Sequence, residues 1–321
     1  MINESLFIIV VAQAVTAAVP LVLAGVGELT AQRAGILNVG IEGLLLTGCI
    51  GGFVAATMSG NGMIGVCVAM LAAMVLAGLF AWATVIMRAD QMVTGMAINL
   101  LAVGGSGTAW MLAQAHGYAH MPAEFGFSRG IVPWISPETQ QWLSSWPIIG
   151  PIIFDQYGIT IVVGIITCAV WWLLSRTRAG IIIQAIGEKP DSCVMVGIDV
   201  RQWRCGLIIV AGAFAGLAGA YLSIMRTHGF SPLMSGGMGF IILALVIFSR
   251  WQVTGLIAVC LGFGLVDATQ SLLQGSGMNQ VVPYHLFQAL PFIVALSALL
   301  IFRRGQNGPA TLGQVWPTSI R

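Results

Sequence analysis

Long apolar runs follow one another along most of the chain and are separated by short polar segments. A helix needs roughly 20 apolar residues to cross a bilayer, and nine runs reach or approach that length. They lie at residues 5–27, 35–58, 62–87, 91–115, 158–175, 205–226, 238–249, 253–272 and 281–302. The pattern predicts an all-α integral membrane protein with about nine to ten transmembrane helices, some short or discontinuous, in one domain over residues 1–321.

The seventh run, 238–249, is short for a full span. We expect it to be tilted, broken, or joined to a re-entrant piece made by the glycine-rich segment 235–239. Irregular backbone is tolerated at membrane depth where protein buries it or water lines it.

The basic residues predict one orientation, because they concentrate on the cytoplasmic side of membrane proteins. The polar segment 176–204 holds five of the 13 and should be cytoplasmic. Counting spans outward from it places only Arg129 and Arg226 on the other side. This solution predicts an extracytoplasmic N-terminus and a cytoplasmic C-terminus.

A second polar segment, 116–157, should be extracytoplasmic. Ser136-Pro137-Glu138 has the residues of a helix start, so a short amphipathic helix is expected there, lying along the membrane surface. His116 and His120 have the spacing of a metal pair, but no third ligand is evident nearby, and loop histidines without a function are the favoured interpretation.

Within segment 176–204, Asp191 follows a proline and is an N-cap candidate for a short helix over about 191–196. Gly197 is a suitable residue to end it. Three apolar residues, Val194, Met195 and Ile198, are too few to fold alone. The helix therefore calls for a partner groove, or alternatively for the bilayer surface.

Composition supports the membrane prediction, since 58% of residues are hydrophobic, only 7% are charged, and the mean hydropathy is +0.93. Soluble domains carry about 25% charged residues. The net charge of +2 is too small to indicate nucleic acid. The N-terminal run has no basic region before it and is interpreted as a retained helix rather than a signal peptide.

Glu42 is the most informative residue, because a carboxylate at membrane depth costs about 2.5–3.5 kcal/mol on insertion scales. Asn38 and Glu42 are four residues apart and would share one helix face. The segment 35–48 contains four glycines, at its two ends and at positions 40 and 43, and they weaken that helix. Two interpretations stay open: a broken helix that opens a polar patch for transport, or a structural carboxylate held by neighbouring backbone donors.

Other polar groups lie inside predicted spans. Asn99 is favoured for a pathway. Asp267 and Gln270 lie near an outer helix end, and for them surface exposure is the alternative to a pathway role. Small residues in the sixth run recur every four positions and form a close-packing face. These are Ala211, Gly212, Ala215, Gly216 and Gly219. Packing within one subunit is favoured over a dimer interface.

Three separated segments resemble ABC-importer permeases for nucleosides, related purines or simple sugars, the branched-chain amino acid-like, type II family. Asn38-Val39-Gly40-Ile41-Glu42-Gly43 resembles the signature N-[IV]-G-x-E-G, and residues 187–200 resemble the coupling loop G-E-N-P-x-A-A…G-I-x-V. Residues 239–248 resemble G-F-x-x-[IL]-A…[IV]-F. Lys189 and Cys193-Val194 depart from the coupling-loop pattern, so this chain is expected to prefer its own ATPase.

The resemblance implies a permease subunit of the inner membrane, whose ATP and Mg²⁺ belong to a separate ABC ATPase. The chain has no P-loop motif, and Lys189 is its only lysine. A second permease copy or paralogue and an extracytoplasmic substrate-binding protein are the other expected partners. The expected solute is a nucleoside or purine-like compound. The alternatives are a simple-sugar permease and an ion-coupled transporter in which Glu42 or Asp267 carries a proton.

We expect two groups of site residues. The substrate pathway would contain Asn38, Glu42, Asn99, Phe240 and Asp267. ATPase coupling would use Glu188, Asp191, Val194, Met195, Gly197 and Ile198. No catalytic or metal-ligating residue is predicted, and intramembrane or lipid hydrolysis has no motif behind it.

Overall fold

The computed structural model describes residues 2–118, 158–275 and 308–316, with isolated residues at 138, 142, 146, 150, 293 and 297. Over these ranges the chain is mostly helical, and residues 308–316 form turns. Its helices are α1 (Ile2–Arg33), α2 (Ile41–Ser59), α3 (Gly62–Ala81), α4 (Gln91–Ala115), α5 (Gly158–Arg176), α6 (Arg178–Glu188), α7 (Pro190–Met195), α8 (Val200–Ala220), α9 (Met238–Phe248) and α10 (Val253–Gly275). Two π-helical turns, Trp82–Ile86 and Tyr221–Arg226, extend α3 and α8.

Seven helices in the described ranges are long and apolar enough to cross a membrane, and α9 is a shorter apolar helix. The prediction of an all-α membrane protein is therefore confirmed. The predicted span 281–302, the surface helix near Ser136 and His120 lie outside the described residues, apart from a few isolated positions.

The core of the bundle is formed by α1, α2 and α8, whose spanning stretches are mostly buried. In contrast, α3, α4, α5 and α10 leave most of their apolar surface exposed. In a membrane protein, an exposed apolar surface of this kind is covered by lipid or by a neighbouring membrane subunit. The polar start of α2 is consequently enclosed by protein on several sides.

The small residues of α8 let this helix contact α2 and α3 almost backbone to backbone. A Cβ on Gly216 would lie 2.5 Å from the Ala69 carbonyl oxygen, and one on Gly219 would overlap the Leu45 carbonyl. Gly212 packs in the same way against Ala77. The predicted close-packing face is thus confirmed as packing within one subunit.

Two predicted boundaries were wrong at the start of the chain. The first helix continues to Arg33 rather than ending near residue 27, and α2 begins at Ile41 rather than near 35. Asn38 therefore lies in the connection between the helices and shares no helix face with Glu42. Hydropathy misses this because Glu28 and Gln32 are polar, yet both are completely buried in the bundle.

The polar segment 176–204 is mostly helical, since it contains all of α6 and α7. Gly197 has φ +83, as expected for the residue that ends α7. Asp191 is not the N-cap, however. Lys189 occupies that position, Pro190 is the first helical residue and Asp191 lies in the first turn, because proline is well suited to the first helical position.

Candidate functional site

Glu42 lies in the first turn of α2 and binds the start of α9. Its Oε1 accepts hydrogen bonds from Ser235 Oγ at 2.6 Å and from Gly237 N at 2.8 Å. Its Oε2 accepts one from Gly239 N at 2.6 Å. The amides at a helix N-terminus carry partial positive charge and favour a carboxylate. The charge that appeared costly in the sequence is therefore compensated by an oriented set of donors.

The helix α9 has 11 residues, which corresponds to about 16 Å of length. This is about half the hydrocarbon thickness of a bilayer. The segment before it is a series of turns, and Gly237, with φ +82, occupies the N-cap position. The expectation of a short helix joined to irregular, glycine-rich backbone is confirmed.

Glycine is required at 239 by the closeness of α2. A Cβ on Gly239 would lie 2.5 Å from both Cα and N of Glu42. Atoms of the backbone cannot move aside as a flexible side chain can. The carboxylate bonds and the contact between the two backbones thus depend on one another.

Asn99 on α4 fastens the same end of α2 from another side. Its Oδ1 accepts a hydrogen bond from Gly43 N at 2.8 Å, and its Nδ2 donates to Val39 O at 3.0 Å. Gly43 N belongs to the first turn of α2, where backbone N–H groups have no partner within the helix. Asn99 therefore positions the backbone on both sides of Glu42.

Asn38 is buried in the connection that precedes α2. Its Oδ1 accepts from Gly40 N at 3.0 Å, and its own N–H donates to Glu28 Oε1 at 3.3 Å. Since Glu28 lies more than one turn before the end of α1, the connection folds back into the bundle. Asn38 Nδ2 and Glu28 Oε2 are buried without a hydrogen-bond partner.

Glu28 and Gln32 are site-region residues that the sequence analysis missed. Glu28 Oε1 accepts from Gln32 Nε2 at 3.1 Å, and Gln32 Oε1 accepts from Trp251 Nε1 at 2.8 Å. Their spacing of four residues on α1 was the available signal. The prediction does not use this signal, because both residues fall between the predicted spans 5–27 and 35–58.

The predicted pathway residues fall into two places. Asn38, Glu42 and Asn99 are joined through the start of α2, and Phe240 is half-exposed on the first turn of α9. Asp267 instead pairs with Arg226, whose Nη2 lies 3.1 Å from Asp267 Oδ2. The structure therefore does not bring Asp267 to the Glu42 cluster through any described contact.

A cleft of about 510 Å³ extends from Arg226 to the start of α9. Its lining includes Leu222, Thr227, Phe230, Met234 and Met238. The cleft has apolar and polar walls and ends one residue from Gly239. A small amphipathic solute is the kind of molecule that such walls accommodate.

The short helix α7 presents apolar side chains away from the bundle. Met195 is 80% exposed and Val196 is 79% exposed, and Val194 is exposed as well. Cys193 is buried beneath the helix, and this burial raises the pKa of its thiol. An exposed apolar cluster on an element too short to span a membrane is typical of a protein-docking surface.

Over residues 10–299 the chain matches the family described as the permease component of the branched-chain amino acid transport system. It is 29% identical to the guanosine ABC transporter permease protein NupQ of Bacillus subtilis, with 97% of each chain covered. Identity to the nucleoside ABC transporter permease protein NupC of Lactococcus lactis is also 29%, over 92% of each chain.

A third relative is a provisionally named glucose ABC transporter permease protein, TsgC13 of Haloferax volcanii. It is 33% identical over 80% of this chain and 75% of its own length. No solved structure matches the chain significantly.

Proposed function

Because this chain belongs to the family of branched-chain amino acid transport system permease components, we propose that it carries a nucleoside or purine-like compound into the cell. The chain is a multi-pass membrane permease of the ABC type and not an enzyme. The observation that carries the proposal is the near-complete coverage of two nucleoside-class relatives, at 92% and 97% of this chain.

A simple sugar is the second candidate solute. Its support is the 33% identity to TsgC13, over 80% of this chain. Nucleosides and sugars are both small, polar and rich in hydroxyl groups. The residues near Glu42 would serve either class, so the choice between them requires a transport measurement.

ATP hydrolysis is assigned to a separate ABC ATPase, which would hold ATP and Mg²⁺ and dock on α7. A substrate-binding protein would deliver the solute from the opposite side, and a second permease subunit would complete the pore. We place α7 and the C-terminus in the cytoplasm of a cell whose inner membrane holds the permease. The basic residues support this side, since the backbone of Arg33 lies against Gly187 of α6, and Arg204 bonds the adjacent Ala34 and Thr311.

Within the permease, the pathway is proposed to pass the start of α2. Asn38, Glu42 and Asn99 would form its polar wall, and Phe240 would offer an aromatic face to a base or a sugar ring. Asp267 would lie on the outer side with Arg226. The coupling group would comprise Glu188, Asp191, Val194, Met195, Gly197 and Ile198 around α7.

Reconstitution tests the proposal. The permease, its ATPase and its binding protein are placed in liposomes, and uptake of radiolabelled guanosine and glucose is measured with ATP or a non-hydrolysable analogue. ATP-dependent guanosine uptake that exceeds glucose uptake is expected. Uptake of glucose alone would establish the sugar alternative. Uptake without ATP that collapses with an uncoupler would overturn the ABC mechanism for this chain.

A further inference from the structure

The C-terminal segment, residues 308–316, returns to the bundle and packs against elements that are far away in sequence. It consists of turns rather than a long helix. Its position is fixed at the start, where a Cβ on Gly308 would lie 2.7 Å from the indole ring of Trp251. Side chains and backbone groups of the segment then reach four different parts of the molecule.

One set of contacts reaches the two short helices α6 and α7. Both the N–H and the hydroxyl of Thr311 donate to the Gly187 carbonyl, at 3.0 and 2.8 Å. Trp316 Nε1 donates to Asp191 Oδ1 at 3.0 Å. Glu188 at the end of α6, Lys189 and the first turn of α7 also line, with the C-terminal segment, a groove of about 350 Å³.

A second set of contacts reaches the connection between α1 and α2. Gly313 N donates to Gly35 O at 3.2 Å, and Gly35 sits so close to Thr311 that a Cβ there would overlap the hydroxyl. The side chain of Gln91 bridges the two segments. Its Nε2 donates a hydrogen bond to the Gln314 carbonyl, and its Oε1 accepts one from the Leu37 amide.

Arg204 of α8 bonds both the connection between α1 and α2 and the C-terminal segment. It is 3% exposed; its Nε donates to Ala34 O at 3.1 Å, and its Nη2 donates to Thr311 Oγ1 at 3.2 Å. A buried guanidinium needs acceptors, because an unpaired buried charge is strongly unfavourable. One of the two acceptors that Arg204 uses is supplied by the C-terminal segment.

The position of α7 depends on such contacts. A helix of six residues is far below the length at which a helix is stable by itself in water. Its Met195 and Val196 point away from the bundle, so they do not hold it in place. Pro190 and Cys193 are the residues that α7 buries. Its first turn is joined to the C-terminal segment by the hydrogen bond from Trp316 to Asp191.

We propose that the C-terminal segment is a brace that links α7 to the connection between α1 and α2. A displacement of α7 reaches Thr311 through Asp191 and Trp316, and it reaches Gly35 and Leu37 through Thr311, Gly313 and Gln314. The connection leads directly into Asn38 and Glu42. The brace therefore passes movement at the docking surface to the polar start of α2. This inference rests on the proposed function, in which an ATPase moves α7.

Two substitutions weaken the brace by removing a hydrogen-bonding group. Trp316→Phe keeps an aromatic ring and loses the donor to Asp191, and Thr311→Val keeps the shape and loses the hydroxyl. Matched controls are Trp172→Phe and Thr269→Val, since Trp172 is exposed on α5 and the Thr269 hydroxyl bonds within its own helix. The solute transported per ATP hydrolysed should fall about fivefold in Trp316→Phe, as expected for one lost hydrogen bond. It should fall at least as far in Thr311→Val, because the Thr311 hydroxyl bonds both the Gly187 carbonyl and Arg204 Nη2. It should stay at the wild-type value in the controls.

Asp191 supplies a test of the bond itself. Asp191→Asn keeps the acceptor oxygen and should retain coupling, whereas Asp191→Leu should behave like Trp316→Phe. The double variant Asp191→Leu with Trp316→Phe should be no worse than either single variant. Co-purification of the ATPase should be unchanged in Trp316→Phe, because Trp316 lies outside the proposed coupling group. Wild-type coupling in both Trp316→Phe and Asp191→Leu, or loss of ATPase association in Trp316→Phe, would overturn the proposal.

A spectroscopic measurement separates this inference from the transport assignment. A nitroxide is attached at Met195→Cys, with Cys67 and Cys168 replaced by alanine, in the permease alone. Trp316→Phe should at least double the mobility of the label, and Trp172→Phe should leave it unchanged. Equal mobility in the two variants would refute the brace. Absence of ATP-dependent uptake by the wild-type complex would refute the proposed function alone.

Discussion

Glu42 and Gly239 are joined so closely that the Gly239 amide lies 2.6 Å from the Glu42 carboxylate, and no Cβ could be placed between them. This contact brings the first turn of α2 against the first turn of α9. It explains why a carboxylate and a glycine, 197 positions apart, both stand at the start of a helix inside the membrane domain. The hydrogen bond and the close backbone contact between these two residues hold the start of α2 against the start of α9.

The charge of Glu42 is expected to contribute to stability as well as to transport. In Glu42→Gln, an amide NH₂ replaces one acceptor and faces an N–H donor. Hydrogen bonds to charged groups contribute about 1.5–3 kcal/mol each, so a loss of about 2 kcal/mol is expected. Thermal unfolding in detergent and ATP-dependent uptake measure the two effects. Glu138→Gln, at an exposed position, is the control, and wild-type values for Glu42→Gln would show that the charge has no role.

Gly239→Ala should separate α9 from α2 even though all polar groups remain. Overpacking of this kind costs typically about 1–3 kcal/mol. The matched control is Gly262→Ala on α10, where a Cβ meets nothing within 4 Å and alanine is the better helix former. Unfolding temperatures of the two variants give the comparison. Equal stability would mean that the α2–α9 contact can relax freely.

Gly216→Val tests the packing of α8 against α3. The added side chain would meet the Ala69 carbonyl and the Ala73 methyl, so the permease should lose about 1–3 kcal/mol of stability or fail to accumulate. Gly206→Val lies on the same helix with nothing within 4 Å of its Cβ. The yield of monodisperse protein in size-exclusion chromatography distinguishes them, and similar yields would contradict the close-packing interpretation.

Cys193 gives a prediction that depends on pH. Burial raises the pKa of its thiol above the usual value of about 8.5, so the folded state holds the proton more tightly than the unfolded state does. The associated stabilisation is present below pH about 8.5 and is lost as the pH rises. Alkylation followed by mass spectrometry should show Cys193 reacting only at higher pH than an exposed Val196→Cys thiol. Parallel pH profiles would disprove the shift.

The apolar runs predicted most of the helices because the membrane imposes a length and a composition on each span. They failed where polar residues are buried by other helices rather than exposed to water. Glu28 and Gln32 fall outside the predicted spans because of their polarity, but both belong to α1 and are fully buried. Periodicity along one helix contains no information about the neighbours that cover it.

The sequence indicated Glu42 and Asn99 as polar groups at membrane depth, but it did not indicate their contacts. The free energy of placing a carboxylate in hydrocarbon distinguishes Glu42 in the sequence. Of the two interpretations, the carboxylate held by backbone donors describes the hydrogen bonds that it makes. Nothing local indicated that those donors come from 235–239. The same holds for Asn99, whose partners lie 56 and 60 positions away, and for the bonds that Thr311 makes to Gly187 and Arg204.

The half-length of α9 has a consequence for charge selectivity. The open amides of a helix start ordinarily attract phosphate and other anions. Here those amides are bound to a carboxylate of the same chain, so the positive end of α9 is neutralised from within. A phosphorylated solute reaching this depth would meet a negative group instead of an anion site. In the proposed pathway, the start of α2 would therefore disfavour nucleotides and sugar phosphates, and it would accept their uncharged parents without an electrostatic penalty.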